Sequence, residues 1–393
     1  MIWERVLLSD VCSTVTKGTT PKTYGFEYTS SGVPFIRVND FPEGRLELRK
    51  STLFVAPSTH RKYKRSIINS GNVLLSIAGT IGRSCVVPDG LPEMNCNQAV
   101  CVIRVENEVL DASYLNYWLR SLDAKRQMAN GQVTGVITNF NLTTARNLSV
   151  PLPPLAEQKR IAGILDAADA LRAKRREALA QLDTLLQSTF LDMFGDPVTN
   201  PMGWEVKKVS DFCKTQTGGT PSRSKPGRYY GGDIPWVKSG ELRERTVYDT
   251  DEHITQHAID ETAAKIVPPG ALMVALYGAT VGRIAVLGVE AATNQAICSI
   301  IVSPEKVNAQ YMFYALRTKV PEWLSRRVGG GQPNISNGVI KDTLIALPPH
   351  KLQAKFAQAV SLCETQRQTQ EAHLSELDAL FASLQSRAFN GEL

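Results

Sequence analysis

The chain has 393 residues, 43% hydrophobic and 21% charged, an ordinary globular balance over a length that fits about two to three domains. No apolar run approaches the ~20 residues of a bilayer crossing, and "MIWERVLLSD" lacks the basic-then-apolar pattern of a secretory leader, so the expectation is a cytoplasmic protein with no membrane contact. The net charge of +6 permits a nucleic-acid partner without requiring one, and the seven cysteines, none in a Cys-x-x-Cys pair, exclude an evident disulfide framework or zinc motif.

In chain order, "FIRVN", "NVLLSIAG", "SCVVP" and "AVCVIRV" are short, β-branched-rich runs between Gly, Pro and Asn, and each predicts a strand. Cys101, inside the last, reads as a small core hydrophobe. "DASYLNYWLRSLDAKRQMA" predicts a short amphipathic helix. Pro153-Pro154 then open a long helix, with Glu157 near its positive end and no proline from Ile161 to Met193. Its apolar stripe runs through positions 161, 165, 168, 179, 182, 186 and 193, a heptad seam that turns polar at Arg172 and Arg175. Gly195 and Pro197 end it. After "GDPVTNPMG" the order restarts. "WVKSG", "ALMVALYG", "RIAVLG" and "AICSIIV" predict strands, with Cys298 in the role of Cys101. "NAQYMFYALRTKVPEWLSRR" predicts the helix. Pro348-Pro349 open a second long helix, whose stripe (Phe356, Val360, Cys363, Leu374, Leu377, Phe381, Leu384, Ala388) turns polar at Arg367 and Gln370 and ends at Asn390-Gly391.

The chain is therefore a tandem repeat. Trp3-Glu4 recurs as Trp204-Glu205, "KGTTP" as "GGTP", "VPFIRVND" as "IPWVKSGE", "AGTIGR" as "GATVGR", and "NCNQAVCVI" as "ATNQAICSI". Each copy spans roughly 195 residues, too long for a solenoid unit, and reads as a globular module plus a helix. A long polar-centred helix is marginal alone in water, so its stripe needs a partner. The expected partner is the other copy, in an antiparallel pair with the chain termini close together; the alternative is that each helix packs on its own module. The expected fold is α+β: two tandem modules joined by two long helices as an antiparallel coiled-coil spacer, approximately two-fold. The boundaries are 1–151 for the first module, 152–195 for the central helix, 196–346 for the linker and second module, and 347–393 for the C-terminal helix.

Enzyme signatures are absent. There is no G-x-x-x-x-G-K-[ST] loop, no Asn/Asp-Pro-Pro-Tyr/Phe motif of an adenine methyltransferase, and no nucleophile elbow in "GRSCVVPD". His253 and His257 lack the His-Glu-x-x-His form and read as solvated. What varies between the copies is the loops: "TKGTTPKTYGFEY", "RVNDF", "HRKYKR" and "NGQVTGVITNFN" in one, "GGTPSRSKPGRYYGGD", "VKSGELRER" and "GGGQPNISN" in the other. Arg and Lys in such loops neutralise phosphates, while Arg, Asn and Gln can pair with base edges. Two readers of different sequences on one scaffold would differ in this way.

The "GTTP" and "GGTP" starts, "AGTIGR" and "GATVGR", "NCNQAV" and "TNQAI", "PLPPLAEQKRIAGILD" followed by "LLQSTFLDMFGDP", and the terminal "AFNGEL" lie in family order along almost the whole chain. On these residues the sequence resembles the specificity subunit of a type I restriction-modification system. One departure is "LPPHKLQAKF", which keeps Pro-Pro and Gln353 but lacks the Glu. The resemblance implies two target-recognition domains, each reading half of a split, asymmetric site on double-stranded DNA, about one helical turn or 34–36 Å apart. It implies a non-catalytic chain without cofactor that docks two modification subunits, which methylate adenine with S-adenosylmethionine. Through them come two restriction subunits, which use ATP and Mg2+. The residues expected on DNA are Thr20, Lys22, Tyr24, Arg37, Asn39, Lys62, Lys64 and Arg83 in the first module. In the second they are Ser222, Arg223, Lys225, Arg228, Tyr230, Lys238 and Arg283. Gln158 and Gln353, near the helix starts, are expected in subunit docking. The rival readings are a two-headed protein adaptor that binds no DNA and a DNA-modifying chain with a cryptic site.

Overall fold

The computed structural model describes residues 3–21, 25–130, 140–325 and 334–393. Two compact units form: Met1–Arg176 with Ala372–Leu393, and Glu177–Glu371. The cut between them falls inside both long helices, Leu155–Phe194 and His350–Phe389, each of 40 residues.

The first unit carries an antiparallel sheet in the order Cys12–Lys17, Val100–Val105, Val73–Ser76, Ser84–Val86. The central strands are apolar on both faces, and their alternate residues enter different cores. Val73, Leu75, Cys101 and Ile103 join the helix side, with Tyr114, Leu115 and Trp118. Leu74, Val100 and Val102 join a second core with Ile36, Phe41 and Met94. Beside it a smaller sheet runs Tyr28–Thr29, Leu53–Val55, Val33–Ile36, Asn95–Cys96, the last pair parallel.

The second unit repeats this plan by itself. Cys213–Thr217, Ile297–Val302, Leu272–Ala275 and Ile284–Leu287 are neighbours in the same order, with Thr246–Val247 added at the edge. Leu272, Val274, Cys298 and Ile300 face one core, while Met273, Ala275, Ala285 and Ile297 face another. The smaller sheet runs His253–Ile254, Tyr230–Val237, Ala291–Thr293, Ile266–Val267.

Several predicted strands end earlier than the sequence indicated. "FIRVN" is a strand only to Ile36, and "WVKSG" only to Val237. Each then turns into a short 3-10 helix, Val38–Asp40 or Ser239–Glu241, because an acid three residues on accepts the backbone N–H: Arg37 N to Asp40 at 2.8 Å, Lys238 N to Glu241 at 2.6 Å. The first amphipathic helix is two, Ala112–Leu119 and Leu122–Asn130, since the Ser121 hydroxyl takes the Ala124 N–H and starts the second. Its counterpart, Ala309–Ser325, runs unbroken with Pro321 inside it.

Within each unit the two long helices run antiparallel and also pack on the module, so both expected partners are used. In the first unit Ile161, Leu165 and Ala168 share a core with Phe381, Ala388 and Phe389 from the other helix and with Tyr114 and Trp118 from the module. In the second, Leu186, Phe190 and Phe194 meet Phe356, Val360 and Tyr311. Each of these large side chains contributes about 1.5–3 kcal/mol by leaving water.

The polar middles answer each other. In the first unit Arg172 bonds Asp169 at 2.7 Å and, across the helix pair, Asp378 at 2.6 Å. In the second, buried Arg367 lies 3.5 Å from Glu364 and bonds Asp183 across the pair. The repeat thus writes an arginine and an aspartate on each helix, one for each unit. The helix ends are treated alike too: Trp3 Nε1 donates to Ala388 O at 3.4 Å, and Trp204 Nε1 to Phe194 O at 3.0 Å, each reaching a carbonyl of the last turn.

Candidate nucleic-acid interface

Motifs far apart in sequence meet at one junction in each unit. In the first, Gly18 N donates to Val100 O at 3.1 Å and Thr19 N to Cys96 O at 3.0 Å. A Cβ on Gly18 would lie 2.1 Å from Cys96 O, so only glycine lets the "GTTP" loop start against "CNQ". In the second, Gly219 N donates to Thr293 O at 2.9 Å, and a Cβ on Gly218 would lie 1.9 Å from that oxygen. The Asn of each "NQA" shapes the turn. Asn97 N donates to Ile36 O and Asn294 N to Val237 O, and each Oδ1 accepts the N–H two residues on at 3.2 Å.

Around the second junction the structure gathers Ser222, Arg223, Tyr230 and Lys238. Glu252 is their hub: it accepts from Arg223 at 2.7 Å and from Lys238 Nζ at 2.9 Å. These bonds, Lys238's first, hold its carboxyl below the usual range, and Glu252 in turn raises Lys238. The Arg223 guanidinium lies 4.2 Å over the Tyr230 ring, whose hydroxyl donates to Pro221 O at 2.6 Å. The Ser222 hydroxyl meets that of Ser224 at 2.8 Å. Arg228 is bonded through two nitrogens to Glu261, which it pulls down to about 2. Lys225 is exposed on the same loop, at the start of the turn Pro226–Tyr229. Three of these cations, Arg223, Arg228 and Lys238, are therefore oriented by carboxylates, a feature absent from the sequence reading because Glu252 and Glu261 lie well downstream.

In the first unit Thr20 is half-buried and Asn39, Lys62 and Lys64 are exposed. Lys62 Nζ sits 4.8 Å over the Phe26 ring, and Arg37 donates to Ser51 O at 3.1 Å. Lys22 and Tyr24 lie outside the described residues, as do most of "NGQVTGVITNFN" and the first part of "GGGQPNISN". Arg83 and Arg283 stand at the turns of the Val73–Val86 and Leu272–Leu287 hairpins, where Ile77 and Leu276, next after the first strand of each, donate to Ala99 O and Ala296 O of the "NQA" turns. Sequence reasoning passed over Arg65, which donates to Thr19 Oγ1 at 3.2 Å, and the exposed Gln98 and Gln295 of the two "NQA" turns.

Gln158 and Gln353 are corrected. Both are buried, at 0% and 1% exposure, so neither side chain is presented to a partner. Gln158 Oε1 accepts from Asp111 N at 2.8 Å, and its amide donates to Val109 O and Pro153 O at 2.9 Å. Gln353 accepts from Asn308 N and donates to Pro348 O, both at 2.8 Å. They lock each long helix to its module by pairing buried backbone groups of the module, at Val109, Asp111 and Asn308, and a carbonyl of each Pro-Pro.

All seven cysteines are reduced, and Cys101 and Cys298 are fully buried strand residues. Among the described residues no His, Cys, Asp and Glu group could hold a metal ion, and no helix is long and apolar enough to cross a membrane. His257 lies 3.7 Å from Glu261, and His253 3.1 Å from Asp249.

The sequence matches the family described as "Type I restriction modification DNA specificity domain" twice, over residues 2–181 and 201–378. The specificity subunit of the type I restriction enzyme MjaIX of Methanocaldococcus jannaschii is 30% identical over 166 residues, 41% of this chain and 38% of the relative. The EcoBI specificity subunit of Escherichia coli is 26% identical over 205 residues, 50% of this chain and 42% of the relative. The chain thus spans about two-fifths of these two relatives. The EcoKI specificity subunit of Escherichia coli K12 is 21% identical and covers 100% of the chain and 89% of its own length. Among solved structures, a type I S subunit from M. genitalium has a TM-score of 0.59 at 12% identity, covering 99% of this chain and 96% of that one. A chain from a study of type I R-M complex assembly has a TM-score of 0.58 at 20% identity, covering 100% and 98%. At these identities the structural likeness speaks for the fold.

Proposed function

The chain belongs to the family of type I restriction-modification DNA specificity subunits, and from that membership we propose that its two units read the two halves of one split, asymmetric DNA site. The observation that carries this reading is the pair of junctions. Both units build the same Gly-Thr and Asn-Gln-Ala framework, yet the loops leaving it differ, with Arg37, Asn39, Lys62 and Lys64 in one and Arg223, Lys225, Arg228 and Tyr230 in the other. A common scaffold with unlike polar loops suits two half-sites of unlike sequence. Lys and Arg there serve phosphates and base edges, and Thr20, Ser222, Lys238, Arg83 and Arg283 supply further contacts.

In this proposal the chain itself performs no chemistry. The exposed faces of the two long helices dock two modification subunits, which carry S-adenosylmethionine and methylate adenine at N6. Two restriction subunits join through them and use ATP with Mg2+. The buried locks at Gln158 and Gln353 support docking only by fixing where the helices leave each module.

The test is adenine-methylation mapping of a host genome with and without this chain, its modification partner being present. Methylation at one motif of the form half-site, fixed gap, half-site is expected only when the chain is there. Unchanged methylation with an active partner would overturn the proposal and favour a protein adaptor. The salt dependence of DNA binding supplies a second reading: phosphate contacts make log K fall linearly with log salt, whereas an adaptor would show no DNA complex at any salt.

A further inference from the structure

We propose that Gln98 and Gln295 are contacts common to both units, each donating its side-chain amide to a phosphate oxygen of the half-site that its unit reads. The inference rests on the DNA-reading role proposed above. It begins with a residue that the fold does not explain. In "NQA" the asparagine is accounted for, since Asn97 and Asn294 each close the turn with their side-chain and backbone bonds. The alanine is accounted for as well. Ala99 O accepts from Ile77 N at 2.9 Å and Ala296 O from Leu276 N at 2.7 Å, and a larger side chain at the buried Ala296 would crowd the sheet.

The glutamine between them is exposed in both units. Among the described residues no hydrogen bond holds the Gln98 side chain. Gln295 accepts the Thr220 hydroxyl on Oε1, which leaves its amide hydrogens to donate outward. The same residue nonetheless stands at the same turn in both copies, while the loop that follows the Gly-Thr start has diverged from "KTYGFEY" to "SRSKPGRYY".

Placement supplies the second argument. Asn97 is bonded to Ile36, next to Arg37, and the loop start at Thr19 is bonded to Cys96 and Arg65. Asn294 is bonded to Val237, next to Lys238, and Gly219 to Thr293. Each glutamine is therefore exposed on a hydrogen-bonded turn beside cations of its unit, Arg37 and Arg65 in the first and Lys238 in the second. The choice of phosphate over base follows from the repeat itself. A side chain identical in two readers of different sequences carries no information that separates those sequences, and contacts that fix register without reading go to the sugar-phosphate backbone.

The experiment uses the full chain assembled with its modification partner. It measures affinity for cognate and mismatched duplexes and maps the methylated motif. Gln98→Ala and Gln295→Ala should each weaken both duplexes equally, by about three- to tenfold for one lost hydrogen bond, with the motif unchanged. Gln98→Lys and Gln295→Lys should restore binding, because an ammonium serves a phosphate. A relaxed or altered half-site in any of these variants would overturn the inference in favour of a base contact. Unchanged affinity in an alanine variant that melts like the parent would overturn it outright. Should the alanine variants melt early, Gln→Glu carries the test: it keeps the size, and at position 295 the Thr220 contact, but repels phosphate, so binding must fall further than in Gln→Lys, and equal binding would refute the inference. If the parent complex methylates no split motif, the proposed function fails, a result separate from any behaviour of the variants.

Discussion

Arg228 is the residue where a base-reading role and an internal bond compete. Its two bonds to Glu261 leave the pair neutral and fix the guanidinium plane. Glu261→Gln should release that arginine and remove a negative charge from the face, tightening non-specific DNA binding several-fold and steepening the salt slope by about one. Titration measurements at two or more salt concentrations check both. Because Glu261 is held down to about 2, its ion pair is fully formed above the ordinary carboxylate range and is lost only as pH falls toward that value, so it does not tune binding near neutrality. Arg228→Ala should relax one base position or weaken binding by about 1–3 kcal/mol if it reads a base, and should weaken all sequences alike if it meets a phosphate. The thiols give a sharper residue-scale expectation. Burial pushes Cys12, Cys85, Cys101, Cys213 and Cys298 up to about 12; Cys363 is also raised by burial, but it is only half-buried and so within reach of solvent. A maleimide at pH 7 should therefore label Cys363 first, with mass spectrometry reporting the order. Residue types were legible in the sequence here, but pairings were not. Nothing local to "SRSKPGRYY" announces that Glu252 and Glu261 come back to hold it.

At the scale of elements, the helix starts carry the most testable structure. Gln158 makes three bonds to backbone groups while fully buried, and Gln158→Ala would leave the Asp111 N–H and two carbonyls without those partners. A loss of about 2–4 kcal/mol in unfolding free energy is expected, read from denaturant melts, with Gln158→Glu also destabilising because it can accept but not donate. A loss of partner docking with unchanged stability would contradict the burial and return the residue to the surface. The Arg172–Asp378 bond is a lesser term, since Asp378 is 44% exposed and water screens it; a double-mutant cycle should give about 0.5–1 kcal/mol. The doubled spacing of Arg172 with Arg367 and Asp183 with Asp378 was visible in the sequence. Its meaning required knowing that the helices run antiparallel, which places each arginine opposite the aspartate of the other copy. Strand ends were less legible, because the capping acids Asp40 and Glu241 act through the backbone and leave no hydrophobic pattern.

At the scale of the whole molecule, the sequence divides into two consecutive repeats but the contacts do not. The first unit is completed by Ala372–Leu393, the last part of the second repeat, while the second unit is one continuous stretch, Glu177–Glu371. An apolar stripe states that a helix needs a partner and leaves open which stretch of chain provides it, so this exchange could not be read from periodicity alone. It has a directional consequence. A chain ended after Glu371 keeps every residue of the second unit. The first unit loses Phe381, Ala388 and Phe389 from its core, the ring contacts of Phe389 with Tyr114 and of Phe381 with Tyr117, the Asp378 partner of Arg172, and the Ala388 carbonyl that takes Trp3. Removing three buried side chains of this kind costs several kcal/mol, a large share of an ordinary domain's stability. Hydrogen exchange on the shortened chain should therefore rise across the Cys12–Lys17 and Ala112–Leu119 segments and stay unchanged in Leu272–Val302. Loosening of the second unit instead, or of both equally, would show that the repeats are the folding units and that the C-terminal segment is an accessory to its own copy.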